Sequence, residues 1–106
     1  MAVLACNLAA ISATDRPRYH QLVNLLRAAV LSRNEVPGGY RFKLDQKAMT
    51  LPEVREWIGM ERLCCPFLTF QLSTSGGKHA GLLLTLTGAA WVKALLDAEF
   101  PAPKAD

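Results

Sequence analysis

Residues 50–66, "TLPEVREWIGMERLCCP", fix one element of this chain at both ends. Thr50 followed three residues later by Glu53 is a capping box, in which each side chain can satisfy a backbone N–H at the other's position. Leu51 and Pro52 fill the first turn, where proline's missing N–H costs nothing. Pro66 disfavours helical geometry at Cys65 and removes one backbone donor. The spacing therefore predicts a helix from Thr50 toward Cys64.

The same helix carries an anomaly. Rotating by about 100° per residue from Val54 puts Trp57, Ile58, Glu61, Cys64, Cys65 and Leu68 within about 80° of it. Arg55, Glu56, Gly59 and Leu63 fall outside this arc. Glu61 therefore lies inside an apolar stripe, flanked by two cysteines. A carboxylate there must be paired, protonated or at work, because burying it bare is expensive. Pairing with Arg18 or Arg62 is one solution.

The rest of the chain reads in short segments. Residues 3–11 suggest a strand, with Cys6 and Leu8 on one face and Ala5, Asn7, Ala9 and Ile11 on the other. Thr14 or Asp15 caps a helix with Pro17 in its first turn. Tyr19, Leu22, Val23, Leu26, Ala29 and Val30 carry that helix to about Ser32. "EVPGGY" ends it. Tyr40, Phe42 and Leu44 alternate with Arg41, Lys43 and Asp45 as a strand. Leu68, Phe70 and Leu72 form the next strand, "STSGGKH" turns, and "AGLLLTLT" completes a hairpin. Gly88 opens a last helix with Trp91, Leu95, Leu96 and Phe100. The order β-α-β-α-β-β-α predicts an α+β fold, a two-layer sandwich with helices on one face of a four-stranded sheet. Residues 1–100 form a single domain in this reading, and 101–106 a flexible tail.

At 106 residues the chain has one domain's length. The net charge of +3 is spread over scattered lysines and arginines, so neither a nucleic-acid patch nor a membrane-binding patch is expected. "MAVLACNLAAIS" has no basic leader and reads as a strand rather than a signal peptide. No run approaches the roughly 18 apolar residues of a membrane span. Three cysteines are an odd number and do not make a secreted disulfide framework. These features point to a cytoplasmic protein with thiols free or metal-bound. Trp57 or Trp91 on an exposed face would favour a homodimer.

Three readings of the cysteine pair follow. Paired thiolates suit a thiophilic ion such as Hg(II), Cu(I), Zn(II) or As(III). Cys64 and Cys65 supply two sulfurs, Cys6 a third if the first strand passes beneath the helix end, and His20 is a candidate nitrogen ligand or a solvated edge residue. In the second reading the pair is redox-active, with Cys64 or Cys65 reacting and Glu61 or Arg62 tuning it. A helix C-terminus and an anionic Glu61 both disfavour a thiolate, so metal binding ranks first. In the third, the cysteines are small core hydrophobes of a structural or interaction domain. A disulfide between the neighbours is not expected, because Cα atoms about 3.8 Å apart fall below the disulfide range.

"CNLAAIS", "RPRYHQL", "GYRF", "ERLCCPFLTFQL" and "LTLTG" together resemble a family of small uncharacterised bacterial proteins. Its specific motif is Glu-Arg-x-Cys-Cys-Pro-Phe, here Glu61, Arg62, Cys64, Cys65, Pro66 and Phe67. The chain departs from that family at "GAAWVKALL", where a proline near Gly88 is expected. The Cys-Cys-Pro-Phe segment is also similar to one in C-terminal extensions of some MerR-type metal-responsive regulators. That resemblance implies sensing or sequestering of a heavy metal or metalloid. It does not carry over DNA binding, because the chain has no winged-helix segment.

Overall fold

The structure, a computed structural model, describes residues 7–75 and 81–101. A 3-10 turn, Leu8–Ala10, precedes α1 (Arg16–Ala29), β1 (Val30–Val36), β2 (Gly39–Leu44), α2 (Leu51–Cys64), β3 (Thr69–Ser75), β4 (Gly81–Thr87) and α3 (Ala90–Glu99). The four strands form one antiparallel sheet in the order β1-β2-β4-β3. The fold is α+β, as the sequence implies, but among the described residues α1 comes before the first strand.

Two elements differ from the sequence reading. The strand expected over residues 3–11 is replaced, in its described part, by the 3-10 turn. Asn7 forms that turn's cap by accepting from the Ala9 N–H. The α1 helix stops at Ala29 instead of continuing to Ser32, and Val30 begins a strand that the sequence pattern had absorbed into the helix. Pairing across the sheet overrides helical spacing here. The β1–β2 hairpin closes through Pro37 and Gly38, with Val36 opposite Gly39. Gly38 has φ 82°, which suits glycine after proline in a type II turn. A bulge between Val30 and Ser32 leaves Leu31 without an opposite residue and 55% exposed.

The α2 helix has the expected bounds. Thr50 accepts from the Glu53 N–H, and the Glu53 carboxylate accepts from the Thr50 N–H at 2.9 Å. At the other end, the Cys65 N–H donates to Glu61 O at 2.7 Å, and the Asn7 N–H donates to Cys64 O at 2.8 Å. The 3-10 turn thus caps the C-terminus of α2. Arg16 holds that turn against α1 by donating from Nε to Ile11 O at 3.0 Å.

All three helices cover the sheet face that carries Tyr40, Phe42, Leu44, Leu84 and Leu86. Trp57 is fully buried, edge-on to both Phe70 and Phe100 at 5.9 Å. Its indole N–H has no hydrogen-bond partner among the described residues. Arg33 and Tyr40 both donate to Asp97 at 2.8 Å, and Lys93 pairs with Glu35, tying α3 to the hairpin. Arg41, Gln71 and Ser73 point to the opposite, exposed face. Trp91 is 50% exposed and packs against Phe67, with ring centres 4.7 Å apart and planes tilted by 50°. No helix among the described residues is long and apolar enough to cross a membrane.

The two glycines Gly39 and Gly59 make opposite predictions. A Cβ on Gly39 would lie 1.9 Å from Leu86 O, whereas one on Gly59 meets nothing within 4 Å. In urea denaturation, G59A should stabilise by roughly 0.5–1 kcal/mol, because it removes a helix-interior glycine. G39A should destabilise clearly, since strands β2 and β4 must separate to admit the methyl group.

Candidate functional site

The site forms where α1 crosses the last turn of α2. Tyr19 projects from the first turns of α1, and its hydroxyl donates to Glu61 Oε1 at 2.6 Å. The Cys64 thiol donates to the same oxygen at 3.3 Å. Cys64 Sγ also lies 3.8 Å from the Tyr19 hydroxyl and 3.8 Å from Cys65 Sγ. Glu61 is 4% exposed and both cysteines are 0% exposed. One ligand atom each from Glu61, Cys64 and Cys65 falls within 4.8 Å of the others.

Helical spacing brings Glu61 and Cys64 to one face, three residues apart. Cys65 stays beside them because it is the C-cap residue, already out of helical geometry at φ −128°. Pro66 enforces that departure. Local sequence therefore delivers both sulfurs and the carboxyl together, while α1 supplies the donor that satisfies the carboxyl.

Cys64 is a free thiol, whereas Cys65 is disulfide-bonded. This differs from the expectation that the thiols are free or metal-bound. The two neighbours are not bonded to each other. Cys6, the expected third sulfur ligand, lies outside the described residues. His20 is exposed on α1, edge-on to Tyr19 at 5.6 Å, and is not part of the Glu61–Cys64–Cys65 cluster. Arg62 lies with its guanidinium 5.6 Å from the centre of the Phe70 ring, on the β3 side of α2. Arg18 forms a two-point pair with Glu56 at 2.9 Å. Neither arginine pairs with Glu61.

The electrostatics follow from burial. Loss of water raises the Glu61 pKa, and the hydrogen bonds from Tyr19 and Cys64 offset only part of that rise. Burial first, and then the Glu61 charge, push the Cys64 thiol up to about 12. Tyr19 is raised as well, chiefly by burial and then by Glu61. All three groups are thus shifted toward their protonated forms, and no lysine or arginine among the described residues forms an ion pair with Glu61. The C-terminal end of α2 adds its own negative potential. The cluster is a set of soft and hard donors with no cationic side chain paired to it among the described residues.

The cluster is connected to the surface. Tyr19 and Glu61, but neither cysteine, line a cavity of about 380 Å³ between α1 and the end of α3, together with His20, Arg27, Glu99 and Phe100. Tyr19 is the site residue that the sequence reading placed only in the α1 core stripe. The available signal was complementary: a tyrosine in one apolar stripe needs a partner for its hydroxyl, and a glutamate in another needs a donor. No family model, curated protein or solved structure matches the chain.

The Cys64 pKa sets a pH window. A folded-state pKa raised to about 12 from an ordinary 9.0 makes this thiol's contribution to stability complete below pH 9.0 and lost as pH rises toward 12. Thiolate absorbance of the reduced protein should show one group titrating near the upper end of that window. Glu61→Gln should move this midpoint downward, because it removes the neighbouring negative charge. Tyr19→Phe should cost about 1–3 kcal/mol in denaturation, by taking away the Glu61 donor.

Proposed function

We propose that the reduced protein binds a soft metal or metalloid ion through Cys64 and Cys65, with Glu61 as a third, oxygen ligand. The observation that carries this reading is the buried Glu61–Cys64–Cys65 cluster with ligand atoms inside 4.8 Å. Metal–sulfur bonds of about 2.3 Å at a tetrahedral centre put two sulfurs about 3.8 Å apart. The two cysteine sulfurs are 3.8 Å apart. A soft cation would replace the Cys64 proton and supply the positive charge that no side chain among the described residues provides to Glu61. Binding then releases protons, so affinity rises with pH. Because Cys65 is disulfide-bonded, the binding-competent state is the one with that bond reduced.

A second reading has its own observation. A free Cys64 thiol lies 3.8 Å from the sulfur of disulfide-bonded Cys65, the proximity that thiol–disulfide exchange needs. It ranks below metal binding because exchange requires a thiolate, and burial pushes Cys64 up to about 12.

Native mass spectrometry with Hg(II), As(III) or Zn(II) tests the proposal. After reduction by a phosphine, one ion per chain should bind, with both thiols protected from alkylation. Cys64→Ser or Cys65→Ser should abolish that adduct, and the unreduced protein should bind none. Reduced thiols that take up no ion, and label only in denaturant, would instead identify a core cysteine pair. Disulfide scrambling without ion uptake would favour the exchange reading.

A further inference from the structure

The two edges of the sheet are built differently. The β1 edge is blunted: it has a bulge between Val30 and Ser32, and its charged Arg33 and Glu35 are held by Asp97 and Lys93 of α3. The β3 edge has none of these devices. Thr69–Ser75 contains no charge and no proline, and its register with β4 runs unbroken from Thr69 to Ser75. No backbone hydrogen bond joins the outer edge of β3 to another element among the described residues. A regular, uncharged edge is a template for one more strand.

Beside that edge, α2 and β3 border an open cleft of about 640 Å³. Its apolar wall is Ile58, Phe70 and Leu72, all half-buried. Arg55, Gly59 and Arg62 line it from α2. At about 100° per residue these three positions fall within about 60° of one another, so Gly59 is a gap between two cations. A Cβ at Gly59 would meet nothing within 4 Å. Arg55 and Arg62 are exposed and form no ion pair among the described residues, in contrast to Arg18, Arg27 and Arg33. No acidic residue lines the cleft, and the chain has none between Glu61 and Asp97. The counter-charge for these two arginines therefore has to come from outside this part of the chain. Neither cysteine nor Glu61 lines the cleft, so it is separate from the sulfur site.

We propose that this cleft docks an acidic peptide segment of a partner protein, added as a fifth strand along β3. The peptide backbone pairs with the open edge of β3, and two carboxylates on its α2-facing side meet Arg55 and Arg62. Those arginines are seven residues apart, about 10 Å along the helix axis. Side chains on one face of an extended strand recur every second residue, about 7 Å apart. Carboxylates four residues apart in the peptide therefore come within reach of both arginines. The residue midway between them faces the Gly59 gap, where a small apolar side chain meets Ile58, Phe70 and Leu72. A second copy of this chain does not fit, because pairing β3 with β3 would gather four arginines at one seam without an acid.

Fluorescence anisotropy with short labelled peptides tests this. Each peptide has a central valine on a threonine background, flanked at equal distance by two residues four positions apart. These are glutamates in one peptide, glutamines in the second and lysines in the third. The glutamate peptide should bind about five- to tenfold more tightly than the glutamine peptide, as expected for two partly exposed charge pairs, and the lysine peptide should not bind. Arg55→Gln combined with Arg62→Gln should bring the preference for glutamate to about one. Gly59→Leu should abolish binding by filling the gap, with the far-UV circular dichroism unchanged. In amide NMR spectra the glutamate peptide should shift the resonances of Thr69 to Thr74 and slow their hydrogen exchange. Equal affinity for the glutamate and glutamine peptides, a preference that survives the double substitution, or binding that leaves the β3 amides unmoved would each overturn the proposal. So would the absence of binding by any of the three peptides. A dimer of the protein alone in sedimentation, abolished by a proline at Gln71, would assign the edge to a second copy and overturn it as well.

Discussion

Glu61 sits at the crossing of α1 and α2 with almost no access to water, and that crossing has to be built around it. An ionised carboxylate at this depth costs several kcal/mol unless donors or a cation compensate it. Here two neutral donors, Tyr19 and Cys64, converge on one of its oxygens. The arrangement sets the rotation of α1 against α2, because moving either helix by one residue would strand the carboxyl. It also links the packing of the core to the protonation of the site. The hydrogen bonds that make Glu61 tolerable keep Tyr19 and Cys64 facing the carboxyl.

The charges of the molecule divide accordingly. Arginines and lysines are used at the periphery, where Arg18 holds Glu56, Arg33 holds Asp97 and Lys93 holds Glu35. They fasten the helices to one another and α3 to the hairpin. The buried cluster receives none of that positive charge. A redox enzyme that activates a cysteine places a cation or a helix N-terminus beside it, whereas here the end of α2 and a carboxyl face the sulfurs. Such surroundings suppress thiolate reactivity but strengthen attraction for a cation that can displace protons.

Much of the fold could be read from local patterns. The Thr50–Glu53 box and Pro66 bounded α2 correctly because both act through backbone groups within a few residues. The alternation of Tyr40, Phe42 and Leu44 and of Leu68, Phe70 and Leu72 identified two strands for the same reason. The segment 30–36 did not reveal itself, because Val30 continues the apolar spacing of α1 and the polar residues that follow show no clean alternation. It becomes a strand by pairing with β2 through the Pro37–Gly38 turn. The segment at residues 8–10 misled in the opposite sense: its run of apolar residues serves a 3-10 turn that caps α2.

The sequence by itself determined that Glu61, Cys64 and Cys65 share one helix end, since helical period and a following proline suffice to place them. Their common burial was implied by the apolar stripe on which they fall. Tertiary structure decided the rest. Tyr19 meets Glu61 across 42 residues of chain, a contact no local rule specifies. The elevated Cys64 pKa exists only because the packed helices exclude water and fix the carboxyl beside the thiol. The opening between α1 and α3, with Arg27 and Glu99 at its rim, likewise belongs to the assembled layers, because side chains 72 residues apart become neighbours only when both helices dock on the sheet.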